Sequence, residues 1–153
     1  MAITPEFGLV FDGKGGAKTL DLERVPNSSE RMMWIHIDYK DEENQEWLKE
    51  MRLDERVIEN LLDEDTSPRY FPKKRGILVV MRGINTQKSA EIDDMVALHM
   101  WIEKNRILTL SHRPIPAVRR VRSLLKKGTG PKSPSDCFIS LVKVMTEHIE
   151  NAI

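Results

Sequence analysis

Asp94-Met95-Val96-Ala97-Leu98-His99-Met100-Trp101-Ile102-Glu103-Lys104-Asn105-Arg106-Ile107-Leu108-Thr109-Leu110-Ser111 is the stretch on which the fold turns. It reads as two strands, Asp94 to Glu103 and Arg106 to Ser111, because both arms are dominated by apolar, β-favouring side chains. Lys104-Asn105 makes the tight turn between them. Upstream, Gly76 to Ile84 gives another strand around Ile77-Leu78-Val79-Val80-Met81, and Arg69 to Pro72 a shorter one. Met33-Trp34-Ile35-His36-Ile37-Asp38 is a further strand, expected to be central. At the start of the chain Phe7 to Asp12 alternates and runs into Gly13-Lys14-Gly15-Gly16, after which Ala17 to Leu22 alternates again, a hairpin signal. The glycine cluster is not a phosphate loop: Ala17 breaks the Gly-Lys-Ser/Thr ending, and a strand rather than a helix follows.

Helices fill the rest. Asp41 is placed as the N-cap of a helix from Glu42 to about Met51, with acids in its first turn where they suit the helix dipole. Asp54 caps a second helix carrying the stripe Val57, Ile58, Leu61 and Leu62, which stops before Ser67-Pro68. Pro114 and Pro116 open a third helix through Leu125, closed by Gly128-Thr129-Gly130-Pro131. Ser133 or Ser135 opens the last, in which Phe138, Leu141, Val142, Met145, Ile149 and Ala152 recur on one face. That stripe is still running when the sequence stops at Ile153, so the natural polypeptide is expected to continue.

The length of 153 residues suits one domain covering 1–153, able to bury about two-thirds of its unfolded surface. A content of 40% hydrophobic and 31% charged residues reads as soluble, and no apolar run approaches the roughly 20 residues of a membrane span. The lone Cys137 excludes an internal disulfide framework and suits a reducing compartment. A net charge of zero conceals a division. Residues 1–66 hold 17 acids and 8 bases, a balance of −9, whereas 67–153 hold 7 and 16, a balance of +9. Two oppositely charged faces solvate the domain, or one of them meets a charged partner.

No catalytic set emerges, and the chain is not expected to be an enzyme. Cys137 lies near a helix start, where the dipole would acidify it, but a small core residue is the commoner role. His36, His99, His112 and His148 fall in four separate elements without the close ligand pairs of a tetrahedral zinc site. No metal cofactor is therefore needed for folding. Asp63-Glu64-Asp65 at a helix end and Asp93-Asp94 at a strand start are oxygen-rich clusters that attract hard cations weakly, or simply solvated charge. Arg113, Arg119, Arg120, Arg122, Lys126 and Lys127 make the helix over 117–127 basic. The neutral chain and the scarcity of aromatics near this patch argue against nucleic acid. A solvated helix back, or contact with phosphate or lipid, remains.

The blocks Phe11-Asp12-Gly13-Lys14-Gly15-Gly16, Trp34-Ile35-His36-Ile37-Asp38-Tyr39 with Trp47-Leu48, and Ser67-Pro68-Arg69 resemble the zinc-transporting branch of the CorA-type divalent metal-ion transporter family. So do Leu78 to Asn85, Asp94-Met95-Val96 with Trp101, Ile107 to Arg113, and Lys127 to Pro131, so that residues 6 to 150 are covered. The resemblance implies an α+β fold: a mixed, mostly antiparallel sheet of about six to seven strands flanked by helices on both faces. The last helix would lead into a stalk, followed by membrane helices and a Gly-x-Asn pore signature beyond Ile153. It further implies a homopentameric funnel on the cytoplasmic face of the inner membrane, conducting zinc or, as the alternative, magnesium. The piece in hand would be a soluble monomer or weak oligomer that contributes to funnel assembly and to cation attraction or sensing. Where the magnesium branch carries a cation-binding aspartate, this sequence has Asn60; Asp63 and Glu64, one helical turn on, could take over as metal ligands. The rival reading is a free-standing cytosolic module that applies the basic helix 117–127 to an acidic partner.

Overall fold

A computed structural model describes residues 6–27, 32–65, 67–73, 75–84 and 95–152. In chain order the elements are β1 (Phe7–Phe11), β2 (Ala17–Thr19), a 3-10 helix (Leu22–Asn27), β3 (Met33–Ile37), α1 (Glu42–Lys49) and α2 (Glu55–Leu61). Then follow β4 (Arg69–Lys73), β5 (Gly76–Ile84), β6 (Met95–Glu103), β7 (Arg106–Leu110), α3 (Pro116–Lys126) and α4 (Pro134–Ala152). The described strands form a seven-stranded sheet in the order β2-β1-β3-β7-β6-β5-β4. Neighbours are antiparallel except β3 and β7, which run parallel with His36 beside Thr109. A parallel pair needs a long connection, and here it contains α1, α2 and strands β4 to β6. The sheet is thus mixed and mostly antiparallel, with helices on both faces.

Period-two alternation sorts side chains between two cores. Phe7, Leu9 and Phe11 of β1, with Trp34, Val96, Leu98, Met100 and Ile107, face α3 and α4 and pack on Val118, Val121, Leu125, Leu141 and Met145. Val10, Met33, Ile35, Ile37, Leu78, Leu108 and Leu110 face the other way, against Leu48, Val57 and Leu61 of α1 and α2. Trp34 is fully buried and meets Phe7 edge-on at 4.8 Å between centroids. Burying such side chains is worth about 2–3 kcal/mol each, so both faces hold their helices mainly by apolar burial. Pro72 sits in β4, an edge strand, where a missing N–H costs no ladder bond.

The helix caps follow the sequence signals. Asp41 accepts from the Glu43 and Asn44 N–H groups, and Asp54 from that of Arg56. Ser133 rather than Ser135 caps α4, its Oγ accepting from the Asp136 N–H at 3.2 Å. The glycine cluster is a turn: the Asp12 carboxylate accepts from the Lys14 and Gly16 N–H groups, and this pair of bonds lowers its pKa. Gly15 has φ +105°, and a Cβ there would lie 2.6 Å from the Gly128 carbonyl oxygen, so the turn docks against the α3–α4 loop.

Two elements end earlier than the sequence pattern indicates. β2 stops at Thr19 instead of reaching Leu22, because Asp21 turns the chain: its carboxylate takes the Glu23 N–H and its carbonyl the Arg24 N–H. α1 closes at Lys49, two residues short of Met51, where the Glu50 N–H already bonds the Trp47 carbonyl.

Candidate functional site

The proposed ligands Asp63 and Glu64 are both exposed, just past the end of α2. The Asp63 carboxylate accepts the Asp65 N–H at 2.9 Å, and that of Asp65 accepts from the N–H and hydroxyl of Ser67. Two of the three acids in this run are therefore already engaged by the turn that ends the helix. Burial raises the pKa of the Tyr39 phenol, the Asp38 and Glu64 carboxylates raise it further, and Arg113 opposes them. Tyr39 also stacks on His99 at 4.8 Å, and His112 Nδ1 lies 3.2 Å from Asp38. Asn60, the neutral residue of the matching position, donates its side-chain N–H to the Arg56 carbonyl at 2.7 Å. Among the described residues no three His, Cys, Asp or Glu side chains converge as a cation site; Asp93 and Asp94 lie outside those residues.

The histidines take separate duties. His36 is buried on the α3/α4 face, its Nδ1 2.7 Å from Thr109 Oγ1 and its Nε2 3.3 Å from Ser111 Oγ. The Trp34 indole N–H donates to the same Thr109 oxygen at 2.9 Å. The Thr109 hydroxyl has one proton to give and two acceptors in reach, His36 Nδ1 and the Ile35 carbonyl at 3.5 Å, so the network closes with either ring tautomer. Burial, with Arg122 adding to it, lowers the His36 pKa to about 3, so the ring is neutral at physiological pH. Cys137 is buried and its thiol pKa is pushed well up by that burial, which removes the acidified-thiol reading and leaves a core residue.

The basic helix α3 divides its charges. Ala117, Val118, Val121 and Leu125 face the core, while Arg119, Arg120 and Lys126 are exposed. Arg122 turns inward and lies 4.4 Å over the Phe7 ring, a cation–π contact that costs the outer face one charge. A separate basic feature opens on the other side of the sheet. Between the α1–α2 loop and the β6–β7 turn lies a cavity of about 580 Å³ that Arg52, Arg56, Arg75 and Arg106 line together with Trp101. Its lining comes from three distant stretches of sequence, which is why no motif announced it.

A mixed sheet with helices on both faces is the fold seen in several solved structures. The full-length CmaX protein aligns with a TM-score of 0.87 at 31% identity, covering 95% of this chain and 46% of its own. The ZntB cytoplasmic domain from Vibrio parahaemolyticus aligns with a TM-score of 0.82 at 18% identity, covering 98% of this chain and 60% of its own, a likeness of fold alone. In sequence, the divalent cation transporter CmaX of Pseudomonas aeruginosa is 32% identical over 96% of this chain and 46% of its own length. The zinc transport protein ZntB of Yersinia enterocolitica is 27% identical over 94% and 44%. The chain thus spans about half the length of these curated relatives. The class these likenesses define is a domain homologous to part of proteins described as divalent-cation and zinc transporters. The chain belongs to the family described as CorA-like Mg2+ transporter protein, whose profile matches residues 29–153.

Proposed function

We propose that the chain is the cytoplasmic part of a membrane transporter that carries divalent cations, zinc foremost. The observation that carries this reading is the family match over residues 29–153, combined with relatives more than twice as long as the aligned region. No helix among the described residues is long and apolar enough to cross a membrane, so a pore would have to be supplied by further sequence. Ile139 of α4 is 60% exposed, on the side of the helix away from the buried Leu141 and Met145. An exposed apolar side chain there suits contact with other parts of an assembled funnel.

In this reading the domain helps five subunits assemble and draws cations toward the pore by its charge, on the cytoplasmic face of the inner membrane. The ZntB relatives carry zinc in their names, whereas CmaX is named for divalent cations in general, and this supports zinc over magnesium. The amide of Asn60, tied to the Arg56 carbonyl, supports the same choice, because a neutral amide is a poor ligand for a dehydrated dication. Asp63 and Glu64 would then be a peripheral, partly hydrated cation site and not a tight one. The test is to read the coding frame past codon 153. Two hydrophobic segments of roughly 20 residues, with a Gly-x-Asn after the first, are expected. An in-frame stop would overturn the reading in favour of a free-standing module that applies the helix 117–127 to an acidic partner.

A further inference from the structure

The cavity of about 580 Å³ beneath the α1–α2 loop carries more positive charge than the fold consumes. Arg106 is spoken for: its Nε lies 2.8 Å from Glu103, and its guanidinium reaches the Met51 carbonyl. The other Glu103 oxygen takes the Trp101 indole N–H at 2.6 Å. Asp54 is spent capping α2. Arg52, Arg56 and Arg75 are exposed at the cavity, and none has an ion-pair partner among the described residues. Two carboxylates, both engaged, therefore stand against four guanidinium groups.

The geometry of the wall is equally specific. Trp101 is only 3% exposed, and its ring is pinned from behind: a Cβ on Gly76 would come within 2.9 Å of it. Leu53 and Val57 add apolar surface to the lining. Arg52 stands at φ +57°, a conformation a non-glycine residue adopts only when its surroundings impose it. A volume of this size lies within the roughly 300–1,000 Å³ of small-molecule sites. Guanidinium forks match the paired oxygens of phosphate, and several of them around one space suit an anion with more than one charge.

From this cavity we infer a binding site for an organic polyphosphate of nucleotide size, with the phosphates on Arg52, Arg56 and Arg75 and an aromatic or sugar part against Trp101, Leu53 and Val57. The site lies on the α1/α2 side of the sheet, away from the basic helix α3, and it stands whether or not the transport reading holds.

The experiment is titration calorimetry on the 153-residue chain in metal-free buffer, with ATP, inorganic pyrophosphate and adenosine as separate ligands. ATP is expected to bind at low salt several-fold more tightly than pyrophosphate, and adenosine alone not measurably. Affinity for ATP should fall as salt rises. Arg52→Asn keeps a residue tolerant of positive φ while removing the charge, and Arg56→Gln and Arg75→Gln remove charge from exposed positions. Each should weaken ATP by about tenfold with an unchanged melting temperature. Arg119→Gln with Arg120→Gln on α3 should leave ATP affinity unaltered. Absence of ATP binding, equal affinity for pyrophosphate, or loss on the α3 variant and not on the cavity variants would overturn the inference. A lipid source is separated by sedimentation with vesicles containing about 5% phosphatidylinositol bisphosphate, at a physiological-range ionic strength. Vesicle binding abolished by the cavity variants, in a chain that does not bind ATP, would equally refute a soluble ligand.

Discussion

Acidifying from pH 7 to pH 5 places a proton on His36 in the unfolded chain but not in the folded one. Its ring is fully enclosed, bonded to Thr109 and Ser111, with the Arg122 cation nearby on α3. Burial is the larger cause and Arg122 the smaller, and together they lower the pKa from 6.5 to about 3. A histidine depressed in this way contributes its full share of stability above about pH 6.5 and loses it as the pH falls toward 3. Between pH 7 and pH 5 the loss from this one group comes to about 2 kcal/mol, at roughly 1.4 kcal/mol per pH unit once below 6.5. That is a large fraction of the roughly 5–15 kcal/mol that holds a domain folded. The assay is urea unfolding at pH 7, 6 and 5 for the native chain and His36→Gln. The variant should be less stable at pH 7, because Thr109 and Ser111 lose a partner, yet decline less steeply with acid. The difference between the two curves should shrink by about 2 kcal/mol from pH 7 to pH 5. Other titrating groups cancel in that difference. Parallel curves would refute the reasoning, since they would show His36 binding its proton equally in both states.

The remaining expectations need shorter statement. Gly15→Ala should cost at least about 2 kcal/mol in chemical unfolding, since the new Cβ meets the Gly128 carbonyl oxygen at 2.6 Å on a backbone with φ +105°. A loss of a few tenths would show that the turn does not dock on the α3–α4 loop. Sedimentation equilibrium at micromolar concentration should find the 153-residue chain monomeric or weakly dimeric, and a stable pentamer would contradict that expectation. In a polypeptide that includes the stalk, Asn60→Asp should tighten magnesium binding in calorimetry; equal affinities would remove position 60 from cation binding. Zinc added to the 153-residue chain at moderate salt should raise its melting temperature by no more than a degree or two, because exposed carboxylates such as Asp63 and Glu64 gain little from a screened cation. A rise of many degrees would mean a tight site that these side chains do not explain.

Local signals carried the elements well and their long-range pairing poorly. The β6–β7 stretch was legible because a polar two-residue turn separates two strongly β-favouring runs, the cap Asp41 because acids fill the helical turn it opens, and the cap Asp54 because it lies before the stripe Val57, Ile58, Leu61 and Leu62. The mid-strand position of His36 marked it as a packing residue, but its partners Thr109 and Ser111 lie some 75 positions on and become neighbours only through the parallel β3–β7 pairing. The early end of β2 was hidden because Asp21 breaks no alternation; it stops the strand by bonding its own backbone. Of the candidate site, the exposed helix-end position of Asp63 and Glu64 could be read locally. The gathering of Arg52, Arg56, Arg75 and Arg106 around one cavity depends on tertiary placement that no spacing rule encodes.

Uptake of zinc into sealed proteoliposomes, followed with an enclosed fluorescent indicator, tests the central claim most directly. The vesicles would hold the whole natural polypeptide that contains this chain. Protein-dependent, saturable zinc entry is the result that a divalent-cation transporter of the CorA-like family predicts. Entry no faster than in protein-free vesicles, for zinc and magnesium alike, would contradict it.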